Sequence, residues 1–293
     1  MEGNVFQKTK AGTPQGGVIS PLLANVAVHG LECELKKALC EDLFQHAKKK
    51  YKVNRKQAAN TISIVFYADD FVIIHESEEI VLKAKQFVEE WLKGIGLALN
   101  QSKTRIIHTL KSEDANKAGF EFLGFSIRQY PITTCARRYK RLIKPSLESQ
   151  KRHRKAISER LKRLTAGTQE EVITALNPLI KGWANYFRIG VSSKVFSSMG
   201  SYVFQKIWKW SRWRHQNKGL RWIKQKYFRR YKGNNWRFAT SDSFRLALHS
   251  ETHIERHVKI QGTRTPYDGD LQYWGKRFSK KNLSIYDLAR RCI

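Results

Sequence analysis

The 293-residue sequence predicts an α+β region, with helices packed on an antiparallel sheet, followed by a helical region and a small basic C-terminal region. Three observations support this fold class. Residues 61–74 are β-branched and aromatic on both sides of two adjacent aspartates, which is typical of a hairpin. Residues 146–215 carry apolar residues at helical spacing. Basic residues exceed acidic ones by 6 in residues 1–140 and by 24 in residues 141–293.

The N-terminal elements are predicted from turn residues and apolar periodicity. A glycine-rich turn at residues 12–19 precedes Ser20-Pro21, which is typical of a helix N-cap followed by proline at the first helical position. Apolar residues then keep helical spacing to about Leu39. Residues 41–60 are polar and predict a loop before the hairpin.

A further helix is predicted over residues 78–93, with Gly94 and Gly96 ending it. Short strands are predicted at residues 97–109 and 120–127. The apolar face of the helix comprises Ala84, Phe87, Val88, Trp91 and Leu92.

Residues 140–145 predict a boundary, beyond which the chain turns helical. Three helices are expected, at residues 146–165, 169–189 and 194–215, and the first has a cationic exposed face. From Asn217 the pattern weakens into short segments with glycine and proline as breakers.

The charge of the chain predicts a polyanionic partner. Fifty-five Lys and Arg against 25 Asp and Glu give a net charge of +30, and such self-repulsion favours binding to a polyanion. Nucleic acid is the first interpretation and an anionic membrane the alternative. Seven of the eight tryptophans lie in the second half, where basic residues interleaved with aromatic ones suit phosphate contact and base stacking. Tryptophans serving as core residues are the alternative.

The four cysteines are scattered without a Cys-x-x-Cys pair, which argues against a disulfide framework or a cysteine-rich zinc module and favours a reducing compartment. The sequence has no run of about 18 apolar residues, so no membrane span is expected.

Asp69 and Asp70 predict a metal site, because carboxylates half-buried in an apolar hairpin need compensation and Mg²⁺ prefers oxygen ligands. A polar hairpin turn, where aspartate is common, is the alternative.

Six blocks in a fixed order make the chain resemble the reverse transcriptase/maturase proteins encoded by group II introns. The most specific is Phe66-Tyr67-Ala68-Asp69-Asp70, which matches the metal-binding signature of that family. The resemblance covers nearly the whole chain. The other five blocks are Thr13–Leu23, Gly96–Thr104, Phe122–Phe125, Asn177–Phe187 and Thr265–Asp270.

This resemblance implies a partial polymerase palm at residues 1–140, an α-helical thumb (maturase domain X) at 141–216 and a basic DNA-binding region at 217–293. It implies Mg²⁺ as cofactor, and intron RNA, a DNA target or primer and dNTP as partners. A bacterial cytoplasm is expected, with an organelle as the alternative. The implied site residues are Asp69 and Asp70 as catalytic metal ligands; Gln15, Gly16 and Gly17 for the nucleotide; Tyr67, Lys103 and Gly124 for primer or template; and Arg152, Arg154, Lys155, Lys181, Trp183 and Tyr186 for RNA in the thumb.

The family uses a third catalytic carboxylate, on a strand upstream of the Gln15 block. The chain begins near that block, so we expect that it lacks this carboxylate and the fingers, and that alone it does not polymerise measurably. A separate chain that supplies the missing part is one expectation, and a nuclease domain is expected to be absent from the C-terminal end. The alternatives are a non-catalytic RNA-binding splicing cofactor and a truncated inactive fragment.

His249, His253 and His257 have i, i+4, i+8 spacing and would share one face of a helix, where they could bind zinc. The favoured interpretation of these histidines is phosphate contact or surface exposure.

Overall fold

The computed structural model divides the chain into two compact units, Met1–Ile106 and Ile107–Ile293. Gln15, Gly16 and Gly17, which were predicted to contact the nucleotide, lie outside the described residues. The structure describes residues 19–110, 118–133, 139–255, 260–261, 264 and 268–279.

The first unit contains more helix than predicted. The single helix expected to reach Leu39 is interrupted at Gly30, which has a φ of 88°, and again at Leu39 itself. The loop expected at residues 41–60 is wrong, because two helices form there. The exposed faces of these helices are polar, so the sequence pattern does not indicate that Leu43 packs in the core. The helices are α1 (Ser20–Ala27), α2 (Leu31–Ala38), α3 (Cys40–Lys48), α4 (Arg55–Ala59) and α5 (Glu78–Gly94).

The hairpin is confirmed as β1 (Ser63–Tyr67) and β2 (Asp70–Ile74), which pair antiparallel. The inward face of this hairpin and the apolar face of α5 pack on one core. The strand predicted at residues 97–109 is wrong, since none of these residues forms a strand. The fully buried residues of the core are Leu31, Leu35, Leu39, Leu43, Ile62, Ile80, Ala84, Val88 and Leu92.

The second unit opens with an antiparallel sheet in the order β3 (Phe120–Phe122), β4 (Phe125–Pro131) and β5 (Tyr139–Pro145). The boundary predicted at residues 140–145 therefore falls within a strand that pairs with β4 from end to end. The division into compact units lies at residues 106 and 107, so this sheet belongs with the helices that follow it. The palm, thumb and DNA-binding boundaries stay predictions.

The three long helices are confirmed as α6 (Leu147–Arg163), α7 (Gln169–Phe187) and α8 (Ser193–Arg214). The hydroxyl of Ser146 caps α6 by accepting from the Ser149 N–H, and Thr168 with Glu171 forms a capping box at the start of α7. Each helix buries one stripe of apolar residues in a shared core, which makes their periodicity readable in the sequence.

The remaining described residues form short elements, as predicted. The two strands pair antiparallel, and Phe228 and Phe238 join the helical core. None of the described helices is long and apolar enough to cross a membrane. The elements are α9 (Leu220–Tyr227), β6 (Phe228–Tyr231), β7 (Asn234–Phe238), a single 3-10 turn (His249–Glu251) and α10 (Leu271–Ser279).

Candidate catalytic hairpin and nucleic-acid surface

Asp69 and Asp70 lie at the tip of the β1–β2 hairpin, as the sequence predicts. Tyr67 pairs with Asp70 across the sheet, so Ala68 and Asp69 form a two-residue turn. Ala68 has a φ of 52°, a left-handed conformation that is unfavourable for a residue with a side chain. Two-residue hairpin turns need positive φ to match the twist of the strands, so the tight connection produces this strain.

Both carboxylates are exposed to solvent. Asp70 shares a face of the hairpin with Tyr67, whose side chain is 61% exposed. Across the part of the chain that the structure describes, neither carboxylate has an ion pair or a side-chain hydrogen bond, and no group of three or more His, Cys, Asp or Glu residues could hold a metal. Mg²⁺ is commonly held by one or two carboxylates together with water and substrate phosphates, so the pair suits this ion.

Two other polar residues of the first unit differ from the hairpin aspartates. Asp42, in α3, accepts a 2.5 Å contact from the Lys83 ammonium, so its carboxylate is already paired. Lys103 lies exposed in the turn at residues 101–103. Its backbone N–H donates to the Asn100 carbonyl. The contact of its side chain with primer or template stays a prediction.

In the second unit, a shallow groove of about 560 Å³ brings together four of the residues predicted to contact nucleic acid. Gly124 comes from the β3–β4 turn, Arg152 from α6, and Trp183 and Tyr186 from α7. We call this the aromatic groove. Its lining residues are Leu123, Gly124, Ser149, Arg152, His153, Ala156, Trp183, Tyr186 and Phe187.

The β3–β4 turn forms one wall of the aromatic groove. Leu123 and Gly124 have φ values of 50° and 75°, so both adopt the left-handed conformation of a tight hairpin. The Tyr186 hydroxyl donates to the Leu123 carbonyl at 2.9 Å, which anchors the strained residue. A Cβ at Gly124 would only reach van der Waals contact with the Phe187 ring, at 3.4 Å, so the positive φ rather than the packing favours glycine here.

Two buried histidines support the floor of the groove. The Nε2 atoms of His153 and His249 lie 2.8 Å apart, and the His153 ring stacks on Trp183 with centroids 4.6 Å apart. Burial lowers the pKa of His153 to about 4. Burial, together with the proximity of His153, lowers the pKa of His249 to about 3. Both rings are therefore neutral near pH 7, and the Nε2–H of one ring donates a hydrogen bond to the Nε2 of the other. We call them the histidine pair.

The cations predicted on α6 point to different surroundings. Arg152 is exposed and lines the aromatic groove. Arg154 instead turns toward α8, where it donates to Ser198 Oγ at 3.3 Å and lies over the Tyr202 ring. Lys155 is exposed and only 3.9 Å from the Glu159 carboxylate, a surface pair of little strength. Arg152 and Lys155 thus remain accessible to a polyanion.

Comparisons with known proteins relate two segments of the chain to described protein domains. A model of the reverse transcriptase (RNA-dependent DNA polymerase) matches residues 1–127, and a model of the group II intron maturase-specific domain matches residues 150–228. These matches over two successive segments support the resemblance of this chain to group II intron reverse transcriptase/maturase proteins. The chain is 28% identical, over 255 residues, to the group II intron-encoded protein LtrA of Lactococcus lactis subsp. cremoris and to LtrA of its strain MG1363. The alignment spans 64% of this chain and 41% of each relative.

The second unit also carries an aromatic surface that the sequence did not single out. Phe204 and Trp208 stack on α8, and the Trp236 ring from β7 packs edge-on against both. Trp236 is 42% exposed, and the Lys224 ammonium lies 4.6 Å from its centroid. The aromatic residues of β6 and β7 on either side of Lys232-Gly233 are a hairpin signal that could have indicated it.

The zinc interpretation of the histidines depended on a helix that does not form. His249 lies in a 3-10 turn of three residues and residues 253–255 form no helix, so i, i+4 spacing does not align the side chains. His249 is fully buried in the histidine pair, whereas His253 is exposed. His257 lies outside the described residues.

Proposed function

We propose that this chain is the palm and intron-binding part of a group II intron reverse transcriptase/maturase. It would contribute to RNA-templated DNA synthesis by two-metal nucleotidyl transfer and bind intron RNA to assist splicing and mobility. The observation that carries the proposal is the exposed hairpin tip, where two unpaired carboxylates stand beside an exposed tyrosine in a segment matched by the reverse transcriptase model.

Asp69 and Asp70 would hold Mg²⁺ at the hairpin tip. When bound, this ion supplies activation of the primer hydroxyl and stabilisation of the leaving pyrophosphate. The strained turn at Ala68 fixes the backbone positions of Asp69 and Asp70, and the paired strands limit the movement of this backbone. Tyr67 would pack against the primer terminus on the same face as Asp70. Gln15, Gly16 and Gly17 would contact the incoming nucleotide.

The thumb of this protein would bind intron RNA through accessible cations around the aromatic groove. Residues 172–241 contain 15 Lys and Arg and no Asp or Glu, so this stretch presents no competing anion to a phosphate backbone. Arg152, Lys155 and Lys181 are exposed, and Tyr186, which lines the aromatic groove together with Arg152, is 52% exposed. Exposed cations with aromatic rings suit an RNA that offers both phosphates and unpaired bases.

Primer extension tests the catalytic part of the proposal. With Mg²⁺, template RNA and an upstream palm segment added in trans, we expect extension that Asp69→Asn abolishes. Asp42→Asn is the matched control, because it removes a paired carboxylate of the same unit. The chain alone is expected not to extend the primer, since two carboxylates do not fix two metal ions for in-line attack. Activity that survives Asp69→Asn would refute the assignment.

A non-catalytic intron RNA-binding cofactor is the second candidate, favoured by the acid-free stretch at residues 172–241. It predicts specific RNA binding with no extension under any combination of segments. If extension fails and RNA binding shows no preference for the intron, the chain is an inactive fragment.

A further inference from the structure

A small pocket of about 140 Å³ in the second unit lies between α7, β7 and the segment that follows β7, and it shares no lining residue with the aromatic groove. We call it the anion pocket. Three of the side chains that line it are cationic and one is a carboxylate. Its lining residues are Asn177, Lys181, Arg237, Ser243, Phe244, Arg245, Ala247 and Glu251.

The carboxylate of the pocket is neutralised within the protein. The Nη2 atom of Arg237, a residue 3% exposed, lies 2.7 Å from both carboxylate oxygens of Glu251. The Leu248 N–H also donates to Glu251. Burial opposes ionisation of Glu251, but these hydrogen bonds outweigh burial and leave its pKa below the usual value. Arg237 and Glu251 together thus contribute no net charge, and Lys181 and Arg245 leave the pocket with a charge of +2.

Arg245 is held in place before any ligand arrives. Its guanidinium lies 4.2 Å from the Tyr231 ring centroid, and its Nη1 donates to the Asp242 carbonyl. The backbone around it is fixed by Asn177, whose amide donates to the Arg245 carbonyl at 3.0 Å and accepts from the Ala247 N–H at 2.7 Å. The remaining guanidinium N–H donors have no protein partner in the part of the chain that the structure describes. A fixed guanidinium with unused donors suits an oxyanion.

The size of the pocket limits what can enter it. Pockets for drug-sized ligands have volumes of roughly 300–1,000 Å³, so about 140 Å³ excludes a nucleoside but admits a single tetrahedral anion. Lys181 is exposed at the pocket and has no ion pair among the described residues, so its ammonium can move onto such an anion. Ser243 adds a hydroxyl to the lining.

We propose that the anion pocket binds one phosphate group, held by Arg245 and Lys181 and backed by the ion pair between the buried Arg237 and the exposed Glu251. The phosphate has two sources: inorganic phosphate, or a backbone phosphate of nucleic acid. The second source rests on the proposed function. In that case, the pocket fixes the register of the nucleic acid at one point on the surface of the thumb, because phosphate contacts position a protein without reading sequence.

The test compares pocket variants with a control of equal charge. Lys181→Gln with Arg245→Gln removes two pocket cations, whereas Arg229→Gln with Arg230→Gln removes two exposed cations from β6, outside the pocket. Lys181→Gln alone provides a variant without internal contacts to lose. The first readout is the thermal transition of the full chain in inorganic phosphate against chloride at matched ionic strength. The second is the salt dependence of RNA affinity.

A saturable phosphate-induced rise in transition temperature, lost in the pocket variants and retained in the control, identifies inorganic phosphate as a ligand. Without that rise, a salt slope of RNA binding reduced by about one unit relative to the control identifies a backbone phosphate. If neither readout separates pocket variants from the control, the proposal is wrong. If the pocket variants differ from the control but the wild-type chain shows no preference for intron RNA, only the proposed function is refuted. If the wild-type chain prefers intron RNA but the pocket variants behave like the control, only the pocket proposal is refuted.

Discussion

The histidine pair makes the second unit sensitive to mild acid. His153 and His249 are 5% and 0% exposed, and their shared hydrogen bond requires that the accepting ring be neutral. In the unfolded chain each ring has a pKa near 6.5, whereas in the folded chain the pKa is about 4 for His153 and about 3 for His249. The unfolded state thus binds more protons below pH 6.5, and stability falls as the pH falls.

The size of the effect follows from the two pKa shifts. One pH unit below the unfolded pKa removes about 1.4 kcal/mol per histidine, so each ring accounts for about 2 kcal/mol near pH 5. The two rings contact each other, so their protonation is coupled. We therefore expect the free energy of unfolding to fall by about 2 to 4 kcal/mol between pH 7 and pH 5 through this pair.

Urea unfolding followed by tryptophan fluorescence measures this loss. Seven of the eight tryptophans lie in the second unit, so the signal reports on that unit. Replacing His153 by Phe and His249 by Leu removes both titrating groups while keeping apolar contacts with Trp183, and should flatten the pH dependence. His253→Gln is the matched control, because His253 is exposed and outside the pair.

The reasoning is refuted if the double variant loses as much stability between pH 7 and pH 5 as the wild type. A variant that is less stable at pH 7 does not affect the test, since the comparison is between slopes.

Three further predictions concern the second unit. Gly119→Ala should destabilise by roughly 2–5 kcal/mol in urea unfolding, since the residue has a positive φ and its Cβ would lie 2.5 Å from the Ile127 carbonyl oxygen. Gly233→Ala, also at positive φ but in open space, should lose only about 1–2 kcal/mol, and equal losses would contradict the clash. Thr168→Ala should lose about 1 kcal/mol with the α7 capping box, measured the same way. Trp236→Ala should weaken binding of single-stranded RNA by about 1–3 kcal/mol but spare duplex RNA, and equal weakening would exclude base stacking.

Local patterns predicted the hairpin and the three long helices. An apolar run in the sequence indicates the hairpin, and one stripe of apolar residues at helical spacing indicates each helix. Ser146 and Thr168 start α6 and α7 with side-chain caps, signals that depend on a few adjacent residues. The α3 helix escaped prediction because its polar composition indicates a loop, and only packing against α2 and α5 shows why Leu43 must be buried. The β5 strand escaped because its basic residues resemble a linker, whereas its pairing with β4 depends on distant partners.

The candidate site divides in the same way. The tip of the hairpin follows from two adjacent aspartates and their apolar neighbours. The aromatic groove joins Gly124, Arg152 and Tyr186 from three separate elements, so no local pattern could have shown that they meet. The histidine pair joins residues 96 positions apart, and burial of His249 removed it from the predicted zinc face.

Competition between intron RNA and random RNA of equal length tests the central claim most directly. We predict that the purified chain prefers the intron RNA. This preference should persist as salt rises, because the phosphate contacts that salt weakens are common to both complexes, whereas contacts specific to the intron are not. Equal affinities that fall in parallel with salt would contradict the claim that this chain recognises an intron.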